Sequence, residues 1–149
     1  MCAVDTDAAI GSINDSFERL VLGARRAVRR SAAALADDLQ PAAWPVFREV
    51  ARTGRVQVGA IVSTLGMDKG AVSRYLKELR EHGLVEAERD EHDARNVWIT
   101  PTPVGRERAA QLAVEQRERL RDALADWSPE DIERFAVLLD RFSAPAAVD

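Results

Sequence analysis

The sequence predicts a mainly α-helical fold that carries one small β-hairpin, and three observations point there. The chain of 149 residues holds 25 alanines against 8 glycines, with only 5% aromatic residues. Alanine gives up no side-chain entropy on entering a helix, so this composition favours helix strongly. Apolar residues recur at three- and four-residue steps over long stretches at both ends of the chain. Between Gly83 and Pro101 that period breaks: Val85 and Ala87, then Val97 and Ile99, alternate as residues of short strands do.

Ile10, Ile13, Phe17, Leu20, Val21, Ala24, Val28, Ser31, Leu35 and Leu39 define one long amphipathic helix, from about Asp7 to Leu39. Arg25, Arg26, Arg29 and Arg30 cluster in its middle. Such a cluster is ordinarily a solvated face, and contact with an anion is the functional alternative. A second helix lies in LQPAAWPVFREVARTG, with Pro41 suited to its first position. Pro45 lacks an N–H, so the helix either kinks there or begins later. Val46, Phe47 and Val50 face inward, and Gly54 ends the helix. Arg55-Val56-Gln57 is short enough for a third strand beside the hairpin. Val58 to Leu65 forms the next helix, with Ile61, Val62 and Leu65 on its inner side, and Gly66 makes a turn.

Asp68 then offers a carboxylate to an unpaired N–H of the following helix. Val72, Leu76 and Leu79 make the buried stripe of that helix, with Tyr75 beside it. The opposite face presents Gly70, Ser73, Arg74 and Lys77, with Lys69 at its start. A small, hydroxylic and cationic face suits a helix lying in a DNA major groove. Gly83 stops the helix, and the two short strands flank a charged turn, DEHDAR. Helix, turn, helix and hairpin together outline a winged helix-turn-helix. Thr102 and Pro103 start a further helix reaching about Trp127, its apolar side marked by Leu112, Leu120, Leu124 and Trp127. Ser128-Pro129-Glu130-Asp131 starts the last one, which carries Ile132, Phe135, Leu139 and Phe142.

This pattern resembles the MarR family of bacterial transcriptional regulators. The matching residues are Asp68, Ser73-Arg74, Leu76, Gly83-Leu84-Val85, Asp93, Arg95, Thr102 and Gly105. Pro101 stands where such proteins usually have an apolar strand residue, and Ala60-Ile61-Val62 replaces the more usual Glu-Leu-Ala. The resemblance implies dimerisation helices at residues 1–40 and 103–149 and a DNA-binding lobe at 41–102. It implies a homodimer on a pseudo-palindromic operator of double-stranded DNA, acting as a repressor released by a small effector.

The expected DNA-binding residues are Lys69, Gly70, Ser73, Arg74, Lys77, Asp93 and Arg95. A hydroxyl bonds a base edge or a phosphate, a guanidinium grips guanine O6 and N7, and a lysine holds a phosphate. In similar proteins the wing arginine enters the minor groove, and here Asp93 would orient Arg95. Relatives bind small aromatic or phenolic anions between the dimer helices and the DNA lobe. Phe17, Trp44, Phe47 and Arg48 are the corresponding candidates, with simple core packing of the aromatics as the alternative.

Net charge is −4, and residues 66–106 hold seven Lys and Arg against eight acids. That balance suits the rival reading, a winged-helix protein–protein module without DNA binding. Long-range attraction is screened over about 8–10 Å, so the local arrangement of cations decides more than the total. A single cysteine, Cys2, excludes an internal disulfide and has no cationic neighbour to activate it as a redox sensor. His92 in an acidic turn is a poor metal ligand set, and His82 suits the negative end of its helix. No nucleophile–base pair, phosphate loop or zinc motif occurs, so neither an enzyme nor a cofactor is expected. The absence of a signal-like N-terminus or a long apolar run makes a cytoplasmic protein the expectation, with no membrane partner.

Overall fold

The structure, a computed structural model, describes residues 5–90, 93 and 96–144. In chain order the elements are α1 (Thr6–Leu35), α2 (Ala43–Thr53), β1 (Val56–Gln57), α3 (Val58–Leu65), α4 (Lys69–Glu81), β2 (Val85–Arg89), β3 (Val97–Pro101), α5 (Pro103–Ala123) and α6 (Pro129–Ser143). The fold is mainly helical with one three-stranded antiparallel sheet, ordered β1-β3-β2. The chain divides into two compact units, Met1–Ala110 and Gln111–Asp149, the division falling within α5.

In the first unit, α1 starts on Asp5, whose carboxylate accepts from the N–H groups of Asp7 and Ala8. It stops at Leu35, four residues short of the expected Leu39. Asp37 and Asp38 follow the capping Ala36, and acids are disfavoured at the negative end of a helix. Leu39 is still buried, but from the turn beyond the helix and not from its face. α2 begins at Ala43, so Pro45 falls in its first turn. The N–H groups there have no helical partner, and the proline breaks no hydrogen bond.

α2 is the centre of this unit. Val46, Phe47 and Val50 are fully buried, and the helix packs on α1, α3, α4 and β3. α4 meets it with Val72, Leu76 and Leu79, all buried. Glu49 is the buried charged residue of this core, and it is satisfied locally. Arg52 donates to both its oxygens, from Nη2 at 2.7 Å and from Nε at 3.1 Å, and Thr53 adds a third bond. The Arg52 guanidinium holds the Glu49 carboxyl below the usual carboxylate range, outweighing the upward push of burial.

Val56–Gln57 does form a third strand, pairing with Ile99 and Trp98 of β3. α4 ends at His82, and Gly83 turns the chain with φ of 67°, a backbone shape that costs glycine little. β2 and β3 pair from Val85–Pro101 to Arg89–Val97. Pro101 ends β3, fully buried at the sheet margin, where it interrupts no ladder.

The junction between hairpin and α5 depends on Thr102 and Gly105. The Thr102 hydroxyl donates to the Gly83 carbonyl at 2.6 Å and accepts from the Gly105 N–H at 2.9 Å, capping α5 as expected. Gly105 passes so close to Leu84 that a Cβ would overlap the Leu84 carbonyl oxygen.

In the second unit, α5 ends at Ala123 and not near Trp127. Ser128 accepts from the Asp131 N–H to cap α6, with Pro129 in the first turn. The residue before a cap must leave the helix, and Trp127 does so, its ring meeting Phe135 edge-on at 5.4 Å. α6 has no buried residue: Ile132, Phe135, Val137, Leu138, Leu139 and Phe142 are all exposed in the single chain. The same holds on α1 for Ile10, Ile13, Phe17, Leu20, Val21 and Leu22. Among the described residues no helix is long and apolar enough to cross a membrane.

Candidate nucleic-acid interface

α4 is held on one side and open on the other. At 3.6 residues per turn, Val72, Tyr75, Leu76 and Leu79 share the side against α2 and α3, and all are buried. Lys69, Gly70, Ser73, Arg74 and Lys77 share the other, and all are exposed. Asp68 fixes the start of the helix, its carboxylate accepting from the Ala71 N–H at 3.1 Å. The same carboxylate lies 2.9 Å from where a Cβ on Gly70 would sit, so any larger residue would push on the cap.

The cations differ in how they are held. Arg74 lies over the Tyr75 ring, 5.1 Å from its centroid, and Nη2 donates to the Tyr75 hydroxyl at 3.2 Å. That contact removes part of the side-chain entropy that a groove contact would otherwise cost. Lys77 reaches Glu81 at 3.8 Å, a solvated pair worth only a few tenths of a kcal/mol. Such a pair yields readily to a phosphate.

In the hairpin, Asp93 is exposed at the turn, while Arg95 and His92 lie outside the described residues. The turn is organised by Asp90, which the sequence reading passed over. Its N–H donates to the Asn96 carbonyl at 2.9 Å, Oδ1 accepts from the Asp93 N–H at 3.3 Å, and Oδ2 accepts from Trp98 Nε1 at 3.0 Å. Arg55, expected only as a residue of the third strand, precedes β1 and stacks on the Trp98 ring at 4.4 Å. The available signal was Trp98 itself, a large aromatic between Val97 and Ile99, hence on the outward side of its strand.

The effector candidates are dispersed. Phe47 is fully buried and Trp44 nearly so, their ring centroids 6.1 Å apart within the core. Arg48 is exposed on α2, and Phe17 borders a shallow hollow on α1 with Glu18, Val21, Leu22 and Arg25. His82 caps the C-terminal end of α4, with Nε2 3.3 Å from the Asp38 carboxylate. Cys2 lies outside the described residues.

Residues 37–96 match the model of the MarR family. The chain is 30% identical over 79 residues to the uncharacterized HTH-type transcriptional regulator YwhA of Bacillus subtilis, covering 53% of this chain and 56% of YwhA. It is 30% identical over 89 residues to the HTH-type transcriptional regulator PetP of Rhodobacter capsulatus, covering 60% of this chain and 54% of PetP. The chain thus spans about half the length of the curated relatives it matches. In fold it is similar to FabT of Streptococcus pneumoniae, solved in complex with DNA, with a TM-score of 0.75 at 18% identity over 89% of this chain and 94% of that one. The matched segment takes in α2, the helix-turn-helix of α3 and α4, β2 and the hairpin turn, and ends before β3. Over that segment, the chain is similar to the MarR family of regulators.

Proposed function

We propose that this protein is a sequence-specific DNA-binding transcriptional regulator: a repressor that holds a pseudo-palindromic operator as a homodimer and releases it when a small aromatic or phenolic anion binds. The two-sided construction of α4 carries this reading. A helix packed by Val72, Tyr75, Leu76 and Leu79 presents Lys69, Gly70, Ser73, Arg74 and Lys77 outward, with the acid Glu81 at its far end. The likeness to the DNA-bound FabT fold supports the same docking mode.

In this reading Arg74 bonds a guanine edge, and Ser73 bonds a base edge or a phosphate. Lys69 and Lys77 hold phosphates, and Gly70 lets the helix approach closely. Arg95 enters the minor groove, oriented by Asp93. The exposed apolar residues of α1 and α6 support the homodimer, because surfaces of this kind are rarely left open. For the effector, Phe17 and Arg48 are the accessible members of the expected set, whereas Trp44 and Phe47 pack in the core. A ligand there acts only if it prefers the DNA-incompetent arrangement of the dimer.

The excess of eight acids over seven cations in residues 66–106 favours a second reading, a protein-binding winged helix. One experiment separates the two. Genomic fragments retained by the full-length protein are sequenced, and the affinity for the best fragment and for scrambled DNA is measured at two salt concentrations. DNA binding predicts about 10³-fold or greater preference for the selected fragment. Equal, salt-sensitive retention of all fragments, or none, leaves only the second reading.

A further inference from the structure

β2 and β3 extend beyond the third strand. Val56 and Gln57 pair with Ile99 and Trp98, whereas the hairpin continues to Arg89–Val97 and its turn. A two-stranded ribbon has little stability of its own, so its free end needs a further constraint to hold one direction. On the inner face Ile99 anchors the sheet, but the apolar row ends there, Val97 being only half-buried.

The outer face supplies the constraint. Val56 is buried, which puts Arg55 and Gln57 on the side away from the core, with Trp98. The register then places Arg55 and Asp90 diagonally on either side of Trp98, one residue from each flanking chain segment. Both diagonals are occupied: the guanidinium of Arg55 covers the indole ring, and the indole N–H reaches Asp90 Oδ2. Asp90 uses its other oxygen on the Asp93 N–H, and Asp93 accepts from Asn96 at 2.9 Å. The row therefore runs from the edge of the sheet, through one aromatic ring, to the backbone of the turn.

The geometry points to Trp98 as a positioning residue for the wing: stacked under Arg55 and bonded to Asp90, it fixes the direction of the turn around Asp93 and so sets the wing's share of DNA recognition. The second half of this statement rests on the DNA-binding reading above; the first half does not. The core does not require Trp98, because Ile99 fills the buried position beside it. The indole therefore bears on the orientation of the turn far more than on global stability.

The test compares Trp98→Phe, which keeps a ring under Arg55 and removes the N–H, with Asp90→Ala and the double variant. Two readouts are taken on the full-length protein: amide hydrogen exchange of Asp93 and Asn96, and affinity for selected DNA with native and swapped flanks. Trp98→Phe should accelerate exchange at both amides about three- to ten-fold with the melting temperature nearly unchanged. On the Asp90→Ala background, Trp98→Phe should accelerate it little further, because the indole N–H acts on the turn through Asp90. Affinity should fall about three- to ten-fold with weaker discrimination between flanks. Unchanged exchange in Trp98→Phe, or fully additive variants, overturns the brace. Accelerated exchange with unaltered affinity and flank preference overturns its role in recognition. Wild-type protein that binds no DNA sinks the DNA-binding reading alone, and the exchange rates still judge the brace.

Discussion

Glu78, on the inner flank of α4, accepts a hydrogen bond from the backbone N–H of Gln40 at 2.8 Å. Four residues later His82 stands 3.3 Å from Asp38. Both contacts tie the C-terminal end of α4 to the turn that joins α1 to α2. Glu78→Ala leaves the Gln40 N–H without its partner, and a cost of about 0.5–1.5 kcal/mol is expected in urea unfolding. Glu78→Gln keeps an acceptor and should recover part of it. Equal losses in the two variants would mean that the side chain acts through packing and not through this bond.

The approach of Gly105 to Leu84 leads to a larger effect. In Gly105→Ala the new methyl group meets the Leu84 carbonyl oxygen, and the obstacle is backbone that cannot rotate away. The start of α5 must move off the hairpin, straining the Thr102 bonds to Gly83 and Gly105. The expected cost is about 1–3 kcal/mol by thermal or urea melting. Thr102→Val, which removes the hydroxyl at nearly constant volume, should cost about 0.5–2 kcal/mol through the lost cap.

The Glu49–Arg52 pair sets an acid-side dependence. The folded pKa of Glu49 is depressed, so its contribution to stability is present above the unfolded value, about 4.3, and is lost as pH falls through the lower folded value. Glu49→Gln lacks this titration. The stability gap between wild type and Glu49→Gln should therefore shrink on going from neutral pH to about pH 3.5. Urea midpoints of both proteins at the two pH values measure it, and a gap that widens in acid contradicts the assignment.

Much of this architecture was legible because local chemistry and tertiary context agree. Asp68, the stripe of Val72, Leu76 and Leu79, and Gly83 each specify a cap, a face or a stop, and α4 lies between Lys69 and Glu81 as they require. Val56–Gln57 was legible as a strand by its place between Gly54 and a helix, although only pairing with β3 makes it one. Helix ends were less legible. The periodicity of α1 continues through Leu39, but Asp37 and Asp38 oppose the helix dipole and the chain leaves at Leu35. Trp127 keeps the helical spacing of α5 yet serves the next cap. The row of Arg55, Trp98 and Asp90 was illegible because it depends on strand register, which no short window of sequence contains.

The apolar residues left open on α1 and α6 carry the homodimer proposal into a measurement. If those surfaces close against a second copy, folding and association are coupled, and the melting temperature should rise with protein concentration. Leu139→Glu and Phe17→Glu, each placing a charge on one such face, should lower that temperature and favour monomer in sedimentation. A concentration-independent melt from a monomeric wild type at micromolar concentration rules out the coupling.

Arg74 and Lys77, two of the exposed cations of α4, should separate base recognition from phosphate attraction. Arg74 is pre-positioned by Tyr75, and its guanidinium has the planar fork that guanine requires, so Arg74→Ala should cost about 1–3 kcal/mol per half-site and relax preference at one or two base pairs. Arg74→Lys should not restore it, because an ammonium cannot make the paired bonds. Lys77 is loosely paired with Glu81, and Lys77→Ala should weaken binding evenly across sequences while lowering the salt dependence by about one ion. Arg74 meets the buried side only at the Tyr75 ring and hydroxyl, and Lys77 pairs with Glu81 in solvent, so both variants should melt close to wild type. Tyr75→Phe provides the internal control: it keeps the ring under Arg74 and removes only the hydroxyl that orients it. Its loss of affinity should be smaller than that of Arg74→Ala and confined to the same base pairs. Affinities of all four variants on half-site-mutated operators at two salt concentrations decide the matter. If Arg74→Ala and Lys77→Ala lose binding equally on every sequence, Arg74 supplies charge alone, and the base-reading role passes to another residue of the α4 face.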